Sequence, residues 1–307
     1  MFLAIILLII GFVLLIKGAD YFVEGASHLA MRFHIPQIVI GLTIVAFGTS
    51  APEAAISITS ALKNSSDLAI GNIIGSNIIN VLVILGIVGC ISSLQVKKTT
   101  YNYEIPFVLL ITLLLLILGK IGNALSLLDG IILLFFFMLF FIYLIFMSQK
   151  EKQDETDEQV HSIIKIVILL ICGIVGIIGG SQLTIDSVNY IATSLGLSQR
   201  FIGLTVVAFG TSLPELVTSL IASMKGKDDL SVGNIIGSNI FNILFILGLS
   251  ATLCGPIVFI DKFVIDGIVA IFALMIFYAF INKEYKLRKI GAILMLIIYI
   301  IYFICIM

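Results

Sequence analysis

Two stretches of this chain place a proline directly before a glutamate inside an otherwise apolar run: AFGTSAPEAA at residues 46–55 and AFGTSLPELV at residues 208–217. A proline interrupts the hydrogen bonds of a helix, and a carboxylate is costly to bury in a membrane. Carboxylates at membrane depth are functional by default, and here the costly combination occurs twice. The motif therefore indicates a functional site rather than a simple kink.

The first motif collects oxygen atoms on one patch of a helix. Pro52 has no N–H, so the carbonyl of Gly48 loses its helical partner, and we expect carbonyls of this turn, including that of Ala46, to face a cavity. Thr49 and Glu53 lie four residues apart on the same face. The remaining members of the two patches are Ser50 in the first motif and Gly210, Thr211, Ser212, Pro214 and Glu215 in the second.

A second pair of motifs supplies amides: GNIIGSNIIN at residues 71–80 and GNIIGSNIFN at residues 233–242. Polar residues recur every four positions, which gives each helix one polar stripe. The stripes consist of Asn72, Ser76 and Asn80 in the first motif and of Asn234, Ser238 and Asn242 in the second. Asn80 and Asn242 occupy equivalent positions, so we expect their amides to face each other.

Brought together, the four motifs form a cage of carboxylate, hydroxyl, amide and carbonyl oxygens. They contain no histidine or cysteine, which makes the cage a site for hard cations. Ca²⁺ fits this ligand set, and we expect Glu53, Glu215, Thr49 and Thr211 to be its ligands. Na⁺ can occupy the same oxygens, and competition for shared ligands is a physical basis for exchange.

The chain contains an internal repeat. IGLTIVAFGTSAPE at residues 40–53 aligns with IGLTVVAFGTSLPE at residues 202–215, an offset of 162, and the two GN motifs align at the same offset without a gap. The repeated unit has five predicted spans, an odd number, so the second copy enters the membrane from the opposite side. Inverted repeats with interrupted helices are typical of secondary transporters, with the substrate site at the repeat interface.

The composition is that of an all-α polytopic membrane protein. Of 307 residues, 60% are hydrophobic and 11% charged, and the mean hydropathy is +1.23. We predict two inverted five-helix repeats, residues 1–147 and 161–307, joined by an acidic linker at residues 148–160. The ten predicted spans are 2–24, 37–62, 68–93, 104–120, 125–147, 161–186, 199–223, 230–254, 263–282 and 288–306.

The same composition limits the partners and the redox chemistry. The net charge of −1 gives no argument for nucleic-acid binding. The partners that the sequence implies are the lipid bilayer and the transported Ca²⁺ and Na⁺, with no cofactor and no obligate protein partner. Four cysteines lie in or near apolar stretches without a CxxC spacing, so we interpret them as packing residues.

Basic residues predict the orientation of the chain in the cell membrane. Most of those between the spans lie in odd-numbered loops: Arg32, Lys97, Lys98, Lys150, Lys152, Lys225, Lys227, Lys283, Lys286, Arg288 and Lys289. The positive-inside rule then places these loops and the linker in the cytoplasm and both termini outside. The acids of the linker could form a calcium-binding regulator, but they lack the order of a calcium loop, which favours a solvated linker.

Titratable residues outside the motifs are assigned no chemistry from the sequence. Glu24 and Asp186 align at the offset of 162 but lie near span ends, and we interpret them as interfacial charges. The three histidines, His28, His34 and His161, are not expected to relay protons.

With these residues in hand, the chain resembles the sodium/calcium exchanger family of the calcium/cation antiporter superfamily, in particular its compact prokaryotic members. The resemblance rests on the paired GTSxPE and GNxxGSNxxN motifs and extends over essentially the whole chain. It implies alternating access around one calcium-preferring and several sodium-preferring sites. The ligands that it implies are Ala46 and Ala208 through their carbonyls, and Thr49, Ser50, Glu53, Ser76, Asn80, Thr211, Ser212, Glu215, Ser238 and Asn242.

One position departs from many relatives in the family. They carry aspartate where this chain has Asn242, and potassium-dependent exchangers in particular resemble each other in having an acid there. The neutral side chain at this position argues against potassium co-transport.

Three alternatives to sodium/calcium antiport remain. The two glutamates could carry protons, which would give a proton-coupled calcium antiporter, although the many hydroxyl and carbonyl oxygens favour sodium. An intramembrane hydrolase would need a base beside Ser50 or Ser212, and neither motif contains a histidine, so we do not expect an enzyme. A passive channel would conduct Ca²⁺ without a counter-ion.

Overall fold

A computed structural model describes residues 2–63, 66–150, 161–195, 208–281 and 283–306. The helices are α1 Phe2–Phe33, α2 Gln37–Ile40, α3 Ala46–Thr49, α4 Ala51–Leu62, α5 Ser66–Ile78, α6 Leu85–Ile91, α7 Ile105–Gly122, α8 Leu127–Lys150, α9 Ile163–Ser194, α10 Ala208–Thr211, α11 Leu213–Met224, α12 Asp228–Ile240, α13 Gly248–Cys254, α14 Asp261–Phe280 and α15 Lys289–Ile306. The strands are β1 Leu94–Gln95, β2 Ala124–Leu125, β3 Ile257–Val258 and β4 Lys286–Leu287.

This is a helical polytopic membrane fold. Within the described ranges, seven helices are long and apolar enough to cross a bilayer, and the bent pair formed by Gln37–Thr49 and Ala51–Leu62 makes an eighth. Two shorter apolar helices, Leu213–Met224 and Lys289–Cys305, lie where the seventh and tenth spans were predicted. The beginning of the predicted seventh span and most of the predicted linker fall outside the described residues, so ten spans stay a prediction.

The proline motifs break their helices as their chemistry requires. α3 ends at Thr49, Ser50 leaves the helical conformation with ψ at 9°, and α4 begins at Ala51 with Pro52 in its first turn. The segments on either side of this break differ in direction by 53°. Ser212 has nearly the same backbone angles before α11, so the second motif repeats this break.

The described part of the chain contains four π-helical segments: Gly41–Val45, Ile79–Ile84, Thr100–Glu104 and Phe241–Leu247. π-helical turns are rare and occur preferentially at functional sites. Asn80 and Asn242 each lie at the second position of such a segment, at the end of the polar stripe. The two GN motifs therefore share a local backbone distortion as well as a sequence.

Among the described residues, two short antiparallel ribbons pair connections that lie between helices. β1 pairs with β4, and β2 pairs with β3. We name the corresponding ends of the molecule the β1–β4 face and the β2–β3 face. At the β1–β4 face Lys97 pairs with Asp229 at 3.2 Å and the backbone N–H of Gln95 donates to Asp228 at 2.9 Å. Loops that carry odd numbers in the predicted topology thus meet at the β1–β4 face.

The two longest helices, α1 and α9, pack against each other through glycines. A Cβ atom placed on Gly18 would lie 2.6 Å from the backbone nitrogen of Ile177, and one on Gly176 would lie 2.9 Å from the Cα of Gly18. Backbone therefore lies directly on backbone. Both helices extend beyond the predicted spans 2–24 and 161–186, α1 to Phe33 and α9 to Ser194.

Gly180 on α9 provides a test of this packing. A Cβ there would lie 2.5 Å from the backbone nitrogen of Leu15 and 2.7 Å from the carbonyl oxygen of Gly11, neither of which can rotate away. Gly180→Ala should therefore lower the free energy of unfolding by about 1–3 kcal/mol. Its neighbour Gly179 has open space, so Gly179→Ala is the matched control and should not destabilise. Equal midpoints of thermal unfolding for the two purified variants would contradict this account.

Candidate cation site

Both motif glutamates are buried at the start of a helix. Glu53 and Glu215 lie in the first turns of α4 and α11, directly after the two breaks, and each is 1% exposed. The positive end of a helix dipole favours a carboxylate there. The serines of the GN motifs approach them: Ser76 Oγ lies 3.4 Å from Oε1 of Glu53, and Ser238 Oγ lies 3.5 Å from Oε1 of Glu215.

Hydroxyl groups connect the two repeats across the site. Ser50 donates to Oε1 of Glu215 at 2.8 Å, and Thr49 donates to Oδ1 of Asn234 at 2.9 Å. In the opposite direction, Thr211 interacts with the Glu53 carboxylate. Each proline motif is therefore completed by residues of the other repeat.

Ser212 does not copy the contact of its counterpart Ser50. It donates to the Ser76 hydroxyl at 3.4 Å, whereas Ser50 donates to a carboxylate. The repeats are thus equivalent in sequence but differ in the hydrogen bonds around the site.

Two asparagines hold the helices that follow the breaks. Asn72 Nδ2 donates to Ser57 Oγ at 3.0 Å and to the Glu53 carbonyl at 3.4 Å. In the second repeat, Asn234 Nδ2 donates to Ser219 Oγ at 2.9 Å and to the Glu215 carbonyl at 3.4 Å. Because the bonded backbone is that of the glutamate itself, these amides position the carboxylates.

The remaining amides form two cross-repeat pairs. Asn80 Nδ2 donates to Oδ1 of Asn239 at 3.0 Å, and Asn242 Nδ2 donates to Oδ1 of Asn77 at 3.0 Å. Asn80 and Asn242 therefore do not hydrogen-bond to each other, and the expectation that their amides face each other across the site stays a prediction. Each bonds to the asparagine three residues before its counterpart, which lies in the α-helix that precedes the π-helical segment of the other repeat.

Four oxygen atoms at the centre have no hydrogen-bond donor among the described residues, although all are buried: Oε2 of Glu53, Oε2 of Glu215, Oδ1 of Asn80 and Oδ1 of Asn242. They form two repeat-related pairs. The amide oxygens can only accept hydrogen bonds, and the carboxylate oxygens can only accept when the carboxyl groups are ionised. A buried acceptor without a donor is costly, and a cation is the partner that satisfies several acceptors at once.

The backbone carbonyls differ from the expectation. The carbonyl of Ala46 keeps a helical partner, since it accepts from the N–H of Ser50 at 3.0 Å and from Thr49 Oγ1 at 3.3 Å. In the second repeat Ser181 of α9 donates to the Gly210 carbonyl that Pro214 leaves without a helical donor, at 3.1 Å. The expectation that the break frees the Ala46 carbonyl was thus wrong, and its role as a ligand stays a prediction.

Of the predicted site residues, one lies at the edge of a described segment. Ala208 is the first residue of α10, its side chain is not described, and its proposed role also stays a prediction. The other residues named from the motifs are buried around the two carboxylates: Thr49, Ser50, Ser76, Asn80, Thr211, Ser212, Ser238 and Asn242.

Sequence reasoning missed four polar residues that support the site: Ser57, Asn77, Ser219 and Asn239. All are buried and hydrogen-bonded to site residues. A signal was available, since they also align at the offset of 162. Ser57 and Ser219 also lie four residues after the motif glutamates, on the same helix face. Asn77 and Asn239 lie off the four-residue stripes, so helical periodicity alone does not identify them.

A cavity of about 570 Å³ reaches the site at Thr211. It lies between α4 and α9, with Thr211 at its inner end; its walls are formed by Ala51, Pro52, Ala55, Ile56, Ile178, Ser181, Gln182 and Ile185. At the equivalent place in the other repeat, Phe22 and Val23 of α1 belong to a buried cluster that packs against Leu213 and Val217. The two repeat-related approaches are thus in different states, one open and one packed.

An ion pair lies beside the packed approach. Lys225, directly after α11, contacts Asp20 of α1 at 2.6 Å and also donates to the Asp20 carbonyl at 3.2 Å. The residue aligned with Asp20 is Gln182, which lines the open cavity. The bridge can therefore form at the packed approach and has no charged equivalent at the open one.

Fold and site together define a membrane protein with a buried, oxygen-lined site for hard cations at the contact of two related halves. The family model for the sodium/calcium exchanger protein matches residues 3–146 and 165–307. The chain belongs to this family, which comprises transporters rather than enzymes. The resemblance inferred from the motifs is thereby confirmed.

Individual relatives agree with this assignment. The chain is 38% identical to the putative antiporter CaxA of Alkalimonas amylolytica over 83% of this chain and 82% of that protein. It is 33% identical to the sodium/calcium exchanger MaX1 of Methanosarcina acetivorans over 80% and 81% of the two chains. A solved structure of the sodium-calcium exchanger NCX_Mj, soaked with zero Na⁺ and Ca²⁺, superposes with a TM-score of 0.86 at 32% identity and covers 100% of this chain and 99% of that one.

Proposed function

We propose that this protein exchanges Na⁺ for Ca²⁺ across the cell membrane by alternating access, at the site around Glu53 and Glu215. The observation that carries the proposal is the group of four buried oxygens without a donor among the described residues, two from these carboxylates and two from Asn80 and Asn242. The proposed ligands are Ala46, Thr49, Ser50, Glu53, Ser76, Asn80, Ala208, Thr211, Ser212, Glu215, Ser238 and Asn242.

Charge balance supports this pair of ions. The two ionised glutamates supply −2, which one Ca²⁺ neutralises, and carboxylate, hydroxyl and amide oxygens are the ligands that Ca²⁺ prefers. Several Na⁺ ions can replace it on the same oxygens. Because the ions share ligands, binding of one kind expels the other, which couples the two fluxes.

The unequal approaches support alternating access. In an inverted ten-helix repeat, the open cavity beside α4 and α9 and the packed contact of α1 with α11 are the same surface in two states. If α4 and α9 packed together while α1 and α11 separated, one approach to the site would close and the other would open. Release of the bridge between Lys225 and Asp20 would accompany that step.

We further propose that the β1–β4 face is cytoplasmic. The basic residues of the odd-numbered loops support this orientation, with the linker on the same side and both termini outside. The cavity that leads to Thr211 would then open to the exterior.

Purified protein in liposomes tests the coupling. With both sides buffered to the same pH, an outward Na⁺ gradient should drive Ca²⁺ uptake, and K⁺ should not be required. Uptake that follows a proton gradient and ignores Na⁺ would replace this proposal with proton-coupled calcium antiport. Ca²⁺ flux that needs no counter-ion would indicate a channel.

A further inference from the structure

We propose that Glu24, His28 and His161 form a binding site for a divalent transition metal of the Zn²⁺ class, separate from the site of the transported ions. Glu24 and His28 lie one turn apart on the same side of α1, and His161 directly precedes Ser162, the residue that caps the N-terminus of α9. The potential ligand atoms of the three residues all lie within 4.8 Å of one another.

The three side chains already converge. His161 Nε2 lies 3.0 Å from Oε1 of Glu24, and the rings of His28 and His161 stack with centroids 3.8 Å apart and planes 25° from parallel. Ligands about 2.0–2.2 Å from a tetrahedral Zn²⁺ are about 3.4 Å from one another. The carboxylate and the first imidazole are near that separation, and a ligand nitrogen of His28 lies within 4.8 Å of both, so a bound metal would require this second ring to move closer.

The ligand chemistry distinguishes this cluster from the cage of oxygens in the membrane. Two imidazole nitrogens and one carboxylate are a Zn²⁺ ligand set, with a fourth position for water. Ca²⁺ and Na⁺ prefer oxygen ligands, so the transported ions should not compete effectively here. All three residues are half-buried, which removes part of the competing hydration and still leaves a path to solvent.

A positively charged side chain already lies beside the cluster of Glu24, His28 and His161. Lys165 Nζ lies 2.9 Å from His161 Nε2, and its side chain is exposed. A metal would take over the position near the imidazole nitrogen, and the flexible lysine stem can move into solvent. A neighbouring cavity of about 120 Å³ offers access; it is lined by Val23, Glu24, Ser27, His28, Met31, Lys225 and Lys227.

The position of the cluster gives a bound metal a structural consequence. His161 lies at the connection between the two repeats, whereas Glu24 and His28 belong to the first helix of the first repeat. A metal shared by these residues would fasten the start of α9 to α1. The site would therefore join the two halves near the β1–β4 face, where Lys225 contacts Asp20.

Metal titration of the purified, untagged full-length protein tests the proposal. In isothermal titration calorimetry with Ca²⁺ in excess, we expect one Zn²⁺ per chain, with affinity at least about tenfold weaker in His28→Ala, His161→Ala and Glu24→Gln. His34→Asn is the matched control, because His34 is exposed and its left-handed backbone conformation suits asparagine. Co²⁺ should give the strong visible absorption of a tetrahedral complex, and each of the three variants should lose it.

Two results would overturn the assignment. The first is unchanged Zn²⁺ affinity in the three variants, which would leave the cluster as a hydrogen-bonded network only. The second is loss of Zn²⁺ binding in Glu53→Gln, which would place the metal at the oxygen cage instead. Ca²⁺ exchange by each cluster variant verifies that it is folded, and this readout is independent of the metal titration.

Discussion

Glu53→Gln and Glu215→Gln should each reduce Na⁺-driven Ca²⁺ uptake by at least about 100-fold, equivalent to about 2.7 kcal/mol. Each substitution preserves the size of the side chain and removes one of two buried negative charges. A Ca²⁺ ion would then be left with a single compensating charge beside side chains that are almost fully buried. Because Gln can still accept from Ser50 at position 215, the hydrogen bond that joins the repeats survives.

The measurement is uptake of radioactive calcium into proteoliposomes that contain equal amounts of folded protein. Glu284→Gln is the matched control, since it makes the same chemical change at a side chain that is 65% exposed in a loop. Calcium uptake within twofold of the parent in either site variant would remove that carboxylate from the ion site.

The centre of the site could be predicted because sequence repetition distinguishes functional polar residues from incidental ones. A single serine or asparagine in a membrane helix often serves only to bond its own helix or a neighbour. Ser76 and Ser238 align at the offset of 162 within motifs that repeat almost letter for letter, which chance does not produce. The cost of burying Glu53 and Glu215 adds a physical reason for the same choice.

The remaining features depend on distances between helices. The spacing of residues along the sequence gives no information about those distances. Asn80 pairs with Asn239 on a helix of the other repeat, and the donor for the Gly210 carbonyl comes from Ser181 on α9. The close packing of α1 on α9 depends on glycines that face the partner helix, such as Gly18 and Gly176. Each of these requires the register of one helix against another.

The cross-repeat amides lead to the second large effect, at Asn242. Its Nδ2 donates to Oδ1 of Asn77 at 3.0 Å, and its own Oδ1 is one of the four oxygens without a described donor. In Asn242→Asp the donor is lost, and two acceptor oxygens face each other in a buried site. The new carboxylate also joins Glu53 and Glu215, which raises the negative charge of the cage from −2 to −3.

One Ca²⁺ leaves such a cage with an uncompensated charge, so a monovalent cation should be needed beside it. We therefore expect K⁺-free calcium exchange by Asn242→Asp to fall at least about tenfold, or about 1.4 kcal/mol. Added K⁺ should restore part of it, whereas the parent protein should show no response to K⁺. Asn80→Asp should behave similarly, because Asn80 makes the repeat-related bond to Asn239.

Calcium exchange with and without K⁺, at constant Na⁺ and pH, measures this effect. Asn123→Asp is the matched control: Asn123 is exposed, and aspartate tolerates its left-handed backbone conformation. A parent protein that requires K⁺ would show that a neutral residue at position 242 does not exclude potassium. A variant with parental activity and no K⁺ response would mean that the side chain at position 242 does not contribute to the charge balance of the ion site.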